Sequence, residues 1–229
     1  MARRLVLFDI DGTLLSGGPA REAFHLAMFE VYGTAGPIEE WEFSGKTDPQ
    51  IARELLTHEG YAQDRIDEGF PRLWTRYLTL MQERIADDPP RELPGVHELL
   101  TELQSQSDIA LGLVTGNVVG GADLKLSSIG LGDRFAIGAY GSDHEVRNEL
   151  PGLAVRRASA HWGVEFPSRE VVIVGDTPRD VDCGRHHGAR TVAVATGRFD
   201  LESLDATGAD AVLSDLSSTK AVLDVILTI

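Results

Sequence analysis

The sequence predicts an α/β fold: a doubly wound, mostly parallel, Rossmann-like sheet with an all-helical segment inserted after its first strand. Two observations predict it. Short apolar runs alternate with helix-patterned segments along most of the 229 residues. One long stretch, from about Ser16 to Asp88, breaks the alternation and carries helix patterns without a convincing strand.

The first apolar run is Leu5–Ile10. Its hydrophobicity is nearly continuous, the mark of a strand covered by helices on both faces. The strandless stretch then supplies three helices, Pro19–Tyr32, Asp48–His58 and Asp64–Ala86. The first carries Phe24, Ala27, Met28 and Val31 at helical spacing, and the third carries Phe70, Leu73, Trp74, Tyr77, Leu78 and Met81. These aromatics read as the core of a small helix bundle rather than as a cofactor box. Pro89-Pro90 and Pro94-Gly95 punctuate the return to alternation. Strands follow at Ile109–Thr115, Ala136–Tyr140, Val171–Val174, Thr191–Ala195 and Ala211–Leu213. The helices among them are Gly95–Gln104, Val119–Ile129, Leu153–Trp162, Pro178–His187 and Ser217–Leu227. The expected organisation is an α/β core of residues 1–15 and 90–229, with residues 16–89 as an inserted helical cap.

A hydrophobic content of 42% is ample for a full core. The net charge of −15 argues against nucleic-acid or anionic-membrane partners, and it requires any phosphate site to be locally positive. The single cysteine, Cys183, excludes an intrachain disulfide and fits a reducing compartment. It reads as a small buried residue rather than a nucleophile. Met1-Ala2-Arg3-Arg4 leads into a run too short and too acidic for a signal peptide, and no segment approaches the roughly 20 apolar residues of a membrane span. A cytoplasmic protein is expected, as monomer or dimer. The seven histidines show no metal-site spacing, and the His186-His187 pair reads as packing or surface.

Three polar clusters close apolar runs. In Phe8-Asp9-Ile10-Asp11-Gly12-Thr13-Leu14, two carboxylates stand two residues apart, so an extended chain places them on one face. Paired carboxylates beside a buried strand are costly unless a proton or cation neutralises them, and an oxygen-preferring cation such as Mg²⁺ suits them. The competing reading is a strand-ending Asp-Gly turn. In Thr115-Gly116-Asn117, a hydroxyl, a glycine N–H and a helix start form an anion cradle; alone, the string is an ordinary polar βα loop. In Gly175-Asp176-Thr177-Pro178-Arg179-Asp180, Thr177 and Pro178 read as helix cap and first turn, with Asp180 able to face back toward Asp176. Asp180 also complements the helix dipole. Ligands of open parallel sheets bind at the carboxyl ends of strands, where all three clusters fall.

Taken together, these strings resemble the haloacid dehalogenase superfamily of phosphatases, in its phosphoglycolate-phosphatase and β-phosphoglucomutase-like branch with a helical cap. Asp9-Ile10-Asp11-Gly12-Thr13 is similar to the first motif, Thr115-Gly116-Asn117 to the second, and Gly175–Asp180 to the fourth. The resemblance implies Asp9 as nucleophile and Asp11 as acid and base. It implies Mg²⁺ on Asp9, the Asp11 carbonyl, Asp176 and Asp180, and phosphoryl oxygens held by Thr115, Gly116 and Asn117. It also implies a small phosphorylated metabolite as partner.

One stretch departs from the pattern. The third motif is usually a lysine; here Glu145-Val146-Arg147-Asn148-Glu149-Leu150-Pro151 corresponds, with Arg147 in its place. Lys125 competes for the role, but its helix suggests a solvated residue, and a guanidinium can bridge carboxylate and phosphate. In the cap, Phe43-Ser44-Gly45-Lys46-Thr47-Asp48 precedes a helix, and the resemblance brings Ser44, Gly45 and Lys46 over the leaving group. A phosphatase is the leading expectation. A phosphomutase with the same nucleophile is the alternative, ahead of C–P cleavage, dehalogenation or a non-catalytic domain. Retention of Asp11 argues against cleavage of a C–P bond and against dehalogenation.

Overall fold

The computed structural model describes residues 3–229. Met1 and Ala2, on which the N-terminal expectation partly rests, lie outside the described residues. The main sheet has six strands, β1 (Arg4–Phe8), β4 (Ile109–Thr115), β5 (Ile137–Tyr140), β6 (Val171–Gly175), β7 (Arg190–Val194) and β8 (Ala211–Leu213). Its order is β5-β4-β1-β6-β7-β8, and every neighbouring pair is parallel. From β1 the chain builds outward through β4 and β5 on one side, then crosses back to β6, β7 and β8 on the other. The carboxyl ends of β4, β1 and β6 therefore frame the switch point where ligands bind.

Alternation along each strand sends residues to two helix layers. Val6, Phe8, Leu111, Leu113, Val172 and Val174 face α4 (Val96–Ser105), α5 (Val119–Ser128) and α9 (Thr219–Thr228). Leu5, Leu7, Ala110, Val114 and Ile173 face α6 (Leu150–Trp162) and α7 (Pro178–His187), the latter through the fully buried Cys183. Coverage on both faces is what makes the strands read as continuous apolar runs.

Between β1 and β4 the chain leaves the sheet through β2 (Leu15–Ser16) and returns through β3 (Arg91–Glu92), a two-residue antiparallel ribbon. The intervening α1 (Ala20–Tyr32), α2 (Asp48–His58) and α3 (Gln63–Arg84) bury their own core, including Phe24, Met28, Leu55, Leu73, Tyr77 and Met81. The aromatics at helical spacing are bundle core, as the sequence predicts. We take this block, residues 16–89, as the cap.

Three local readings are corrected. The first strand ends at Phe8: the Asp9 N–H still donates to the Val174 carbonyl, but the Ile10 carbonyl turns to accept from the Leu14 and Leu15 N–H groups. The sixth helix starts at Leu150 rather than Leu153, since Pro151 falls in its first turn, where a missing N–H costs nothing. A short helix, α8 (Leu201–Asp205), was not foreseen; Asp200 caps it by accepting from the Ser203 N–H at 2.8 Å. No helix among the described residues is long and apolar enough to cross a membrane.

Candidate active site

Asp9 follows β1 directly and Asp176 follows β6, so parallel pairing of these strands brings the two carboxylates side by side. Asp180 arrives from the first turn of α7. There it accepts from the Thr177 N–H at 3.0 Å while Thr177 Oγ1 accepts from the Asp180 N–H at 3.3 Å. This reciprocal cap locks the carboxylate in place. One oxygen from each of Asp9, Asp176 and Asp180 lies within 4.8 Å of the others, and all three residues are buried. Gly12 makes the approach feasible: its φ of 84° suits glycine, and a Cβ there would overlap the Asp176 carboxylate.

Arg147 opens a 3-10 turn, Arg147–Glu149, and reaches into this group. Its Nη2 lies 3.0 Å from Asp9 Oδ1 and also donates to Asp180. The site is still short of positive charge. Burial raises Asp9 to about 6, opposed by Arg147 and reinforced by Asp180 and Asp11. Burial and the neighbouring Asp180 and Asp9 raise Asp176 to about 9. Three buried carboxylates against one guanidinium form a hard, all-oxygen donor set that a Mg²⁺-like cation fits, and such an ion would restore ionisation. Arg147 Nε is buried and finds no acceptor among the described residues.

Asp11 does not join the carboxylate group through its side chain, although the resemblance had placed it in the metal set through its backbone. Its carboxylate, 46% exposed, takes Lys125 Nζ at 2.8 and 2.7 Å on its two oxygens and Asn117 Nδ2 at 2.7 Å. Lys125 also donates to Asn117 Oδ1 at 2.7 Å. The expectation of a solvated Lys125 is therefore overturned, since the residue is only 5% exposed. The signal was present in the sequence: Lys125 lies three residues after the buried Ala122, on the inward stripe of α5, where an apolar residue would ordinarily stand. Arg147 and Lys125 thus occupy different places, one between Asp9 and Asp180, the other against Asp11.

Thr115, wholly buried at the end of β4, accepts from Asn117 Nδ2 at 2.8 Å and from the Asn117 N–H at 3.3 Å. The Asn117 amide is thus spent on Asp11, Thr115 and Lys125. The Gly116 carbonyl accepts from the Asp48 N–H at 2.8 Å, and the Val118 N–H donates to Asp48 Oδ2 at 2.8 Å. Thr47 Oγ1 donates to the Glu145 carbonyl at 2.7 Å, and Arg53 pairs with Glu145 at 2.8 Å. These contacts seat the helical block on the carboxyl ends of the strands.

The space enclosed, about 360 Å³, is within the range of small-molecule sites. Its floor holds Asp9, Asp11, Thr115, Gly116, Asn117, Arg147 and Asp176, and its roof includes Ser44, Gly45 and Lys46. The Lys46 ammonium turns to Glu54 and lies 5.7 Å from the Trp41 ring centre. Tyr77 and Asp48 also line the cavity, and sequence reasoning missed both: one reads as bundle core, the other as a helix start.

Residues 6–194 match the family model of haloacid dehalogenase-like hydrolases. An N-acetylmuramic acid 6-phosphate phosphatase of Pseudomonas putida is 29% identical over 225 residues, covering 98% of this chain and 97% of the relative. A phosphoglycolate phosphatase of Synechococcus elongatus is 29% identical over 209 residues, covering 90% of each. A solved β-phosphoglucomutase from Clostridium difficile superposes with a TM-score of 0.70 at 15% identity, covering 99% of this chain and 98% of the other; at that identity the likeness is one of fold.

Proposed function

Because the chain belongs to the haloacid dehalogenase-like hydrolases, we propose that it is a Mg²⁺-dependent phosphatase of small organic phosphate monoesters, acting through an aspartyl-phosphate on Asp9. The observation that carries this reading is the convergence of Asp9, Asp176, Asp180 and Arg147 at the ends of β1 and β6, with Asp11 and Lys125 opposite.

An Asp9 oxygen attacks phosphorus while the P–O bond to the alcohol breaks, and Asp11 gives that oxygen its proton. Asp11 then takes a proton from water, whose oxygen attacks phosphorus, releasing inorganic phosphate and free Asp9. Splitting one displacement into two lowers each barrier. Arg147 orients Asp9, and the Gly116 N–H and Thr115 hydroxyl line the same floor. Lys125 and Asn117 fix the direction of the Asp11 carboxylate. Asp9, Asp176 and Asp180 would hold Mg²⁺, with the Asp11 backbone carbonyl as the further oxygen the resemblance implies; the ion would neutralise developing charge on the phosphoryl group. The seated cap excludes bulk water.

Both curated relatives are named as phosphatases, for different leaving alcohols. That supports hydrolysis over phosphoryl transfer to a sugar, for which only likeness of fold speaks. The test is phosphate release from a panel of small phosphate esters with Mg²⁺, beside Asp9→Asn. Release that survives Asp9→Asn, or that proceeds at full rate in excess chelator, rules the proposal out.

A further inference from the structure

A short loop places Arg147. The chain leaves β5 at Tyr140 and reaches Arg147 through six irregular residues, 141–146. The near half of the loop is tied to the core: the Gly141 N–H donates to the Asn117 carbonyl at 2.8 Å, and Asp143 pairs with Arg157 at 2.6 Å. The far half is not. His144 and Val146 are exposed, Val146 by 53%. Their mutual bond, from the Val146 N–H to His144 Nδ1 at 3.0 Å, stays inside the loop. Where packing would otherwise support this half, a cavity of about 700 Å³ is lined by Gln50 and Glu54 of α2 on one side and Val146 and Asn148 on the other.

Among the described residues, every hydrogen bond that leaves 144–146 for an element other than the turn at Arg147 ends on the cap. The Glu145 carbonyl accepts from Thr47 Oγ1 at 2.7 Å, and both Glu145 carboxylate oxygens accept from Arg53 Nε, at 2.9 and 2.8 Å. Arg53 is itself held fast. Its Nη1 donates to Gln63 Oε1 at 2.7 Å, its Nη2 to Asp67 Oδ1 at 2.7 Å, and its guanidinium carbon stands 5.2 Å from the Phe70 ring centre. All three nitrogens are engaged, so α2 and α3 together present a fixed donor to the loop. A lone exposed ion pair would hold little. This one is largely buried, with side chains 25% and 31% exposed, and its arginine is anchored by three further cap groups.

Arg147 is gripped from the opposite side by Asp9, at 3.0 Å, and by Asp180. It follows Glu145 by two residues, about 7 Å of extended chain, so slack at Glu145 becomes displacement at the guanidinium. We propose that Glu145 and Arg53 are positioning residues for Arg147: docking of the cap on Glu145 sets the loop that carries the guanidinium to Asp9 and Asp180, and seating the cap and completing the phosphoryl site are one event. The inference rests on the phosphatase reading above and adds a route by which the cap acts on kcat, beyond its exclusion of water.

Glu145→Ala removes the carboxylate and leaves the cap's own contacts whole; Arg53→Met is the partner variant, and melting temperatures report the folding of both. With Mg²⁺ and p-nitrophenyl phosphate, Glu145→Ala should lower kcat by about tenfold, as misplacement of a reacting-site group does, and change KM by less than about twofold. In an Arg147→Ala background the same substitution should cost less than about twofold, because its effect passes through a side chain already gone. A merely loosened cap would raise KM and cost the same in both backgrounds, and that pattern overturns the proposal. A second readout needs no turnover. Arg147 Nε is buried, so its N–H signal in ¹⁵N spectra, identified by its loss in Arg147→Ala, should exchange slowly with solvent in the wild type. It should exchange about tenfold or more faster in Glu145→Ala and in Arg53→Met. An unchanged exchange rate in both variants also overturns the proposal. If exchange quickens while the wild type releases no phosphate, the positioning stands and the phosphatase reading alone fails.

Discussion

Arg147 Nη2 lies 3.0 Å from Asp9 Oδ1 while donating to Asp180, so one guanidinium spans the proposed nucleophile and the far carboxylate of the metal set. Both contacts come from one nitrogen, so a lysine ammonium could bridge the same carboxylates only if its shorter stem brought Nζ to that point. Arg147→Ala should lower kcat by about 10²–10³-fold, the cost of removing one charge-stabilising donor. Arg147→Lys should recover only part of it. Steady-state phosphate release decides; full activity in the alanine variant would deny the bridge its role.

Lys125 acts on a different step. It holds both Asp11 oxygens, and Asp11 is the group proposed to protonate the leaving oxygen. An alkoxide needs that proton, whereas nitrophenolate leaves without it. Lys125→Met should therefore slow an alkyl phosphate by roughly 10²-fold, within the usual worth of general acid catalysis. It should slow p-nitrophenyl phosphate much less. Arg147→Ala should slow both esters alike. The two variants compared on the two esters separate the roles, and equal losses for Lys125→Met on both would show Lys125 to be structural only.

The crowding of carboxylates has a consequence for stability. Asp9 at about 6 and Asp176 at about 9 lie above their ordinary value of 3.8, so folded protein holds these protons more tightly than unfolded chain. The stability they contribute is fully present below pH ~4 and is lost as pH rises through about 6 for Asp9 and about 9 for Asp176. Chelator-treated protein should therefore melt at progressively lower temperature between pH 5 and 9, and saturating Mg²⁺ should flatten the decline. Asp176→Asn removes the larger liability. It should raise the Tm of metal-free protein at pH 8 by roughly 2–4 °C while abolishing the Mg²⁺-dependent shift. A lowered Tm in that variant would contradict the electrostatic account.

The sheet and the helix order were legible because both rest on periodicity, and burial on two faces leaves a strong signal in runs such as Val171–Val174 and Ile109–Thr115. The strand end at Asp176 was legible for the same reason, since a carboxylate closing a buried strand breaks the pattern; the end before Asp9 was not, because apolar Ile10 carries the predicted run past it. Lys125 was misread because a lysine on a helix is usually solvated, and only its partner, 114 residues away, reveals why it is buried. Tyr77 was hidden in the bundle core, where its ring belongs to the packing and its hydroxyl to the cavity. The β2–β3 ribbon is two residues per strand, too short for any period to register.

Seating of the cap depends on a glycine. Gly116 lies under the loop that carries Lys46 and Thr47, and a Cβ built on it would overlap the Lys46 carbonyl oxygen and approach Thr47 Cα at 3.0 Å. These are backbone atoms, held by the bond from the Asp48 N–H to the Gly116 carbonyl and by Thr47 Oγ1 on the Glu145 carbonyl, so they cannot turn aside as a side-chain tip would. Gly116→Ala must therefore lift the loop away from the floor. The β4 core beneath is undisturbed, because Val114 packs in the layer with α6 and Thr115 stays held by Asn117, and Tm should fall by only a few degrees. Catalysis should suffer more: an unseated cap admits water and loses the roof of the cavity, so kcat/KM should drop by about 10²-fold, mostly through KM. If the alanine variant keeps wild-type KM, the seated arrangement is not the one that binds substrate.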